Sequence, residues 1–291
     1  MLGHSGVGKT TYMAAMYGAM QHRHSFNGFT LTAGDDAVHT QLLYLNNCIQ
    51  KGAYPDATAQ RTTYNFTLHH EGEAFFPFEW VDYRGGALLE NSSSVEKQRL
   101  IDDLKEADGI LIFIDAVASF QGRRIVKELG HMTNLIKAAV GESEFPLPLM
   151  IVLTKADLLP RNGEEQALAS VRNLVETIST SQHLIGSVIQ VACGSRSMNV
   201  EQPVLQTIRL GIRIIAHLAN ARVDYANAMI DQYTKKASSF WGIVSDAFAD
   251  ETNLDKAHKE AAAALHIVNF VNPLSEPAEH LENYLHAVEM F

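Results

Sequence analysis

Gly3-His4-Ser5-Gly6-Val7-Gly8-Lys9-Thr10 satisfies the spacing G-x-x-x-x-G-K-[ST]. Each fixed position of that spacing answers a need of phosphate binding. Glycines at 3, 6 and 8 admit backbone conformations closed to residues with a Cβ. The N–H groups of the loop, through His4, Ser5, Val7 and on to Thr11, can then turn inward as an anion nest. A helix beginning near Lys9 adds its positive N-terminal end. Lys9 is expected to reach the β- and γ-phosphates of a nucleotide, and the Thr10 hydroxyl to ligate Mg²⁺.

Thr154-Lys155-Ala156-Asp157 follows an apolar run and matches the [NT]-K-x-D base-recognition motif of GTPases. Guanine presents two donors on one edge, N1–H and the 2-amino group, and the Asp157 carboxylate offers two acceptors to meet them. Adenine lacks that pair, so ATP would leave a buried Asp157 unsatisfied. The Lys155 stem is expected to lie over the base plane. A bland alternative is that Thr154 or Asp157 merely caps a helix. Asp82-Tyr83-Arg84-Gly85 matches D-x-x-G. Asp82 is expected to hold Mg²⁺ through water, and the Gly85 N–H to reach the γ-phosphate. Val191-Ala192-Cys193-Gly194-Ser195 fits a loop whose backbone N–H groups, at Ala192 and Cys193, meet the guanine O6.

Such motifs need strand ends to carry them. Gly109–Asp115 and Leu149–Thr154 are continuous apolar runs, as in strands buried on both faces. Ser187–Cys193 reads as a third such strand. Thr63–His69 and Ala74–Asp82 read as a hairpin around Glu71-Gly72-Glu73. Phe26–Leu31 reads as a short strand. Helices are expected over Lys9–Arg23, Asp35–Lys51, Val95–Glu106, Ser119–Val140, Gly163–Thr180 and Gln202–Asn220. Alternating strands and helices imply a doubly wound parallel sheet. Beyond Ala221 the pattern becomes helical throughout, with Arg222–Asp250 and Leu254–Phe270 as helices. Asn272–Pro277 reads as a break, followed by a last helix with Ser275 as N-cap and a stripe of Leu281, Tyr284, Leu285 and Val288 packed on the chain's own core. Only Met1 and Leu2 precede Gly3, which leaves no room for the strand that should feed the loop. The expectation is therefore that the first strand is missing and that this start is not the natural one.

The chain has 291 residues, 46% apolar and 19% charged. A net charge of −10 argues against a nucleic-acid or anionic-membrane binder. Two cysteines, Cys48 and Cys193, make no disulfide framework, and a cytoplasmic location is expected. No apolar run is long enough for an integral membrane segment. Of the 13 histidines, His69-His70 and His22 with His24 invite a metal reading, but zinc-site spacing is absent.

Over roughly residues 1–220 the chain resembles the Ras-like, translation-factor-related class of P-loop GTPases. The Asp-Tyr-Arg-Gly-Gly sequence at 82–86 and an insertion at about 24–53 resemble a set of bacterial GTPase-like proteins. The resemblance implies an α/β fold, a P-loop NTPase sheet that is doubly wound and mostly parallel with one antiparallel edge hairpin. It implies a GTP-binding domain at 1–220, beyond which 221–291 is an added helical extension. It also implies a switch threonine before the hairpin that binds Mg²⁺ and the γ-phosphate; Thr58, Thr62 and Thr63 are candidates, and Thr58 is preferred by spacing. Departures are the 73 residues from Lys9 to Asp82, the helical tail, and Gly86 where many members carry a Gln that orients water.

The expected function is Mg²⁺-dependent binding of GTP and GDP with slow hydrolysis, as a switch for a protein effector or activator. Lys9, Thr58, Arg84 and Gly85 are the expected catalytic groups, Arg84 acting in cis or else forming a surface ion pair. The rivals are an ATPase with a coincidental T-K-x-D and a non-hydrolysing nucleotide-binding scaffold.

Overall fold

The computed structural model describes residues 1–22, 26–56, 60–83, 85–86, 95–122, 125–140, 146–239 and 251–289. Among the described residues, six strands make two three-stranded sheets. β1 (Phe29–Ala33), β2 (Thr62–His70) and β3 (Glu73–Asp82) are antiparallel and adjacent in that order; β4 (Ile110–Asp115), β5 (Leu147–Thr154) and β6 (Leu184–Gln190) are parallel in that order. The architecture is thus mixed α/β.

Burial explains the parallel sheet. All eight residues of β5 except Leu147 are buried, and so are the first five of β4, as expected of strands covered on both faces. Register then decides which ends coincide. Asp115 pairs with Thr154, and Leu153 with Gln190, so β4, β5 and β6 release their following loops at one edge. The chain start reaches the same edge. Leu2 makes a parallel bridge with Ile112, its N–H donating to Leu111 O (2.8 Å) while Phe113 N–H donates to Leu2 O (2.8 Å).

The antiparallel sheet holds more than the expected hairpin. The segment read as an insertion supplies β1, which pairs with β2 from Phe29↔His70 to Ala33↔Phe66. β6 also lies three residues earlier than expected at each end. Ala192 leaves the sheet because it exchanges both backbone hydrogen bonds with Met198 (3.1 and 2.9 Å).

Helices α1 (Lys9–Ala19), α2 (Asp36–Gln50), α3 (Val95–Lys105), α4 (Ala116–Phe120), α5 (Ile125–Val140), α6 (Glu164–Thr180), α7 (Gln202–Ala237) and α8 (Asn253–Glu289) complete the described elements. Asp35 caps α2, its carboxylate accepting from Ala37 N–H (2.7 Å). α1 is anchored by Tyr12, Met13, Met16 and Tyr17, all fully buried. Each such side chain contributes roughly 1.5–3 kcal/mol. They hold the helix that presents Lys9 and Thr10.

Two compact units divide the chain, Met1–Gly211 with His280–Phe291, and Ile212–Glu279. In the second, α7 and α8 bury Ala219, Ala226, Ala257 and Ala264, and Arg222 Nη2 pairs with Glu260 Oε2 at 3.3 Å. No break falls near Ala221, where the sequence carries no glycine or proline, and α7 runs on to Ala237. α8 likewise passes through Pro273 and Pro277, where a break was expected. Ser275 caps nothing; its hydroxyl donates to Val271 O (3.4 Å). Local propensity yields here to packing on both sides, with Ala257 and Ala264 buried before the prolines and Leu281 and Leu285 after them. Because an interior proline costs about 3 kcal/mol relative to alanine, Pro273→Ala should raise the thermal midpoint. A calorimetric scan showing no rise would mean that α8 is interrupted there in solution.

Candidate functional site

The glycine loop leaves Leu2 at the edge of β4. Gly3 has φ +150°, and a Cβ there would stand 2.7 Å from Phe113 O, so no side chain fits. Gly8, at φ 94°, is the left-handed N-cap of α1. Lys9 is only 6% exposed, and its Nζ donates to Gly3 O (2.8 Å) and His4 O (3.3 Å). Burial lowers its pKa, against the pull of the Asp82 carboxylate. The His4 ring lies beside Glu128 of α5 (Nε2 to Oε2 3.7 Å), and burial lowers its pKa too, opposed by Glu128.

The T-K-x-D segment is tied to that loop by its own side chains. Thr154 is buried, and its hydroxyl donates to Val7 O (2.6 Å), with Ile114 O 3.2 Å away. Lys155 takes φ 59°, and its Nζ donates to Gly6 O (2.9 Å) and pairs with Asp115 Oδ2. Asp115 Oδ1 meanwhile accepts from Val117 and Ala118 N–H (2.9 and 3.0 Å), capping α4. Asp157 stands in the 3-10 turn Ala156–Leu158, exposed, and caps neither that turn nor α6. Among the described residues its carboxylate makes no hydrogen bond or ion pair. It does push the neighbouring Cys193 thiol upward, though burial is the larger cause of that group's rise to about 12.

From the other sheet, Asp82 ends β3 fully buried and close enough to Lys9 and to the Met1 amine to act on both electrostatically. Gly85 lies directly on the glycine loop, where a Cβ would overlap Ser5 N and His4 C. Tyr83 between them is 7% exposed. Its hydroxyl donates to Asp103 Oδ2, and burial with that bond raises its pKa from 10.0 to about 12.

One cavity of about 420 Å³ collects these segments. His4, Ser5, Gly6, Gly8, Lys9, Thr10 and Thr11 line it from the loop and α1, and Gly85 from the second motif. Thr154, Lys155, Asp157 and Cys193 line it from the loops after β5 and β6. Gly3, Val7 and Asp82 do not line it, and Ala192 has its N–H engaged by Met198 O. Thr58 and Arg84 lie outside the described residues. Thr62 and Thr63 belong to β2, opposite Asp82 and Val81. Sequence reasoning missed Tyr54, Pro55, Asp56, Leu158 and Gly194 as lining residues. It missed Asp115 as well, although an Asp closing an apolar run ahead of a helix was the available signal.

The sequence model of the Double-GTPase 2 family matches residues 1–207. The chain belongs to the Double-GTPase 2 family. Membership places it among P-loop GTPases and supports binding of GTP, and every lining residue named above falls within the matched span. Among solved structures the chain is similar to a bacterial selenocysteine-specific elongation factor, EF-Sec, at 14% identity and a TM-score of 0.41, over 73% of this chain. It spans 28% of the length of that elongation factor chain. It is also similar to the signal recognition particle receptor SRb in its GTP/SRX complex from Chaetomium thermophilum, at 11% identity and a TM-score of 0.40, over 66% of this chain and 88% of that one. Comparison with curated proteins finds no match.

The donors near the phosphate loop suit Mg²⁺, being a hydroxyl at Thr10 and a carboxylate at Asp82, both hard oxygens. Elsewhere, among the described residues, no three His, Cys, Asp or Glu side chains converge on a metal position. His69 instead bonds Thr32 Oγ1 (2.9 Å), and His70 stacks on His280 (4.6 Å). Among the described residues no helix is long and apolar enough to cross a membrane.

Two outcomes follow for this Double-GTPase 2 chain. Thr154→Val keeps the shape of the side chain and removes its bond to Val7 O, so stability should fall by about 1 kcal/mol in urea unfolding. Tyr83 has a folded pKa near 12, above its ordinary 10.0. Its contribution is therefore complete below about pH 10 and is lost as pH rises through 12. The stability difference between parent and Tyr83→Phe should be constant up to pH 10 and shrink beyond it; a difference that grows with alkali would refute the assignment.

Proposed function

We propose that this chain binds GTP with Mg²⁺ and hydrolyses it slowly to GDP and phosphate, as a cytosolic switch for a protein effector or activator. The observation that carries the reading is the pair of bonds from Thr154 to Val7 O and from Lys155 to Gly6 O. They make the base-reading and phosphate-reading segments two walls of one cavity.

Each wall has a role. The N–H groups of the glycine loop and the N-terminus of α1 cradle the β- and γ-phosphates. Lys9 exchanges its loop carbonyls for phosphate oxygens and neutralises charge there. Thr10 and Asp82, with Thr58, would hold Mg²⁺, which supplies charge neutralisation at the β- and γ-oxygens. The Gly85 N–H faces the γ-phosphate. Asp157 receives both guanine donors, the Lys155 stem covers the base, and an N–H of the loop at Cys193 meets O6. Gly86 offers no side chain to orient water, so turnover should be slow, roughly 10⁻³ s⁻¹ or below without a partner. Arg84 is the candidate cation in cis. Gly86 also favours one rival, a scaffold that holds nucleotide without hydrolysis; phosphate release in a single turnover separates the two.

Asp157→Asn tests base recognition. The new amide would set donor against donor at the guanine 2-amino group, at about 1–3 kcal/mol for each group left unpaired. GTP affinity should fall tenfold or more, and XTP, with an acceptor carbonyl at that carbon, should be preferred. The parent should prefer GTP over ATP and XTP. If Asp157→Asn keeps parental GTP affinity and gains nothing for XTP, Asp157 does not read the base.

A further inference from the structure

Arg61, Tyr83 and Asp103 have no part in the nucleotide cavity, yet they join the two segments that bound it from the antiparallel sheet. Arg61 immediately precedes β2, and Tyr83 immediately follows β3. The pairing Thr62↔Asp82 sets them side by side at the open end of the hairpin. The guanidinium carbon lies 5.7 Å from the Tyr83 ring centroid. Asp103, in the last turn of α3, receives both neighbours on one oxygen. Arg61 Nε donates to Oδ2 at 2.8 Å, and the Tyr83 hydroxyl donates to the same atom. Arg61 Nη1 also donates to Thr63 Oγ1 (3.1 Å), and Arg99 O stands 3.3 Å from the Tyr83 hydroxyl.

This cluster sits two residues from Gly85, whose backbone rests on Ser5 with no room for a Cβ. It also sits five residues from Asp56, which lines the cavity on the first loop. Arg61 and Tyr83 are therefore held side by side against a single carboxylate on α3. Charge-assisted bonds of this kind are about twice as strong as neutral ones, and a shared acceptor makes them interdependent.

We propose that Arg61 and Asp103 are positioning residues that fix Tyr83, and through it hold Gly85 against the glycine loop, where a γ-phosphate would lie. The proposal rests on the GTP reading above and adds to it the residues that hold Gly85 in place. GDP contacts the glycine loop and the base-reading segment, which Arg61 does not touch. GTP also engages Gly85.

The test compares affinities of the full chain and its variants for GDP and for a non-hydrolysable GTP analogue. Arg61→Ala and Asp103→Asn should each weaken the analogue about tenfold, a typical coupling between sites, with GDP affinity within twofold of the parent. Asp103→Asn keeps the side-chain shape and covers the case in which Arg61→Ala misfolds. Arg61→Lys should recover only part of the loss, because it lacks the Nε donor. In a double-mutant cycle, Arg61→Ala combined with Asp103→Asn should cost no more than either alone. A merely structural cluster would lower the melting temperature and weaken both nucleotides equally. That result, or unchanged affinity for both, overturns the positioning role while leaving GTP binding intact. A parent that binds neither nucleotide overturns the GTP reading itself, and this proposal with it.

Discussion

The pairing of Asp115 with Thr154 across β4 and β5 is the constraint on which the site depends. It is a register, set by two apolar strands that are buried on both faces and cannot slip without losing the close packing of their side chains on each. From it follow the reach of Lys155 to Asp115 and the position of Thr154 beneath the glycine loop. The loop is held from below by backbone bonds at Leu2 and from the side by two side chains of the base-reading segment. Its shape is thus imposed by neighbours as well as by its glycines.

The second sheet supplies the other half of the enclosure. Three antiparallel strands give the hairpin a rigid backing, and their register delivers Asp82 and Gly85 to the loop. The buried charges that result, Lys9 and Asp82, are mutually compensating, which is what makes two such groups tolerable out of water.

The phosphate loop, D-x-x-G and T-K-x-D were legible in the sequence because their chemistry demands particular residue types at short spacings. The strand that carries T-K-x-D was legible as an apolar run, and the one that carries D-x-x-G as the return of a hairpin. Other features depend on partners far along the chain. Phe29–Ala33 looked like part of an insertion because nothing local announces its pairing with β2. Asp115 looked like the end of a strand; one of its oxygens caps α4 and the other serves Lys155, a residue 40 positions on. Tyr54 and Asp56 looked like loop residues, since the walls of a cavity leave no periodic trace. The continuity of α8 ran against local propensity at Pro273 and Pro277, while the burial of Leu281 and Leu285 followed the stripe.

The bonds that close the cavity join residues very distant in sequence, Thr154 to Val7 across 147 positions and Lys155 to Gly6 across 149. Contacts of such separation form late, because the chain entropy of closing the loop is lost before any contact compensates for it. On a ribosome adding roughly 5–20 residues per second, the glycine loop emerges about 7–30 seconds before the segment that ties it down. Within that interval α1 gains its aromatic partners in stages, Tyr17 meeting Phe66 of β2 and Tyr12 meeting Trp80 of β3 and Phe113 of β4. The two walls of the cavity are therefore joined only once β5 and the segment after it have been made, and a nucleotide that needs both can stabilise the nascent chain only from then on.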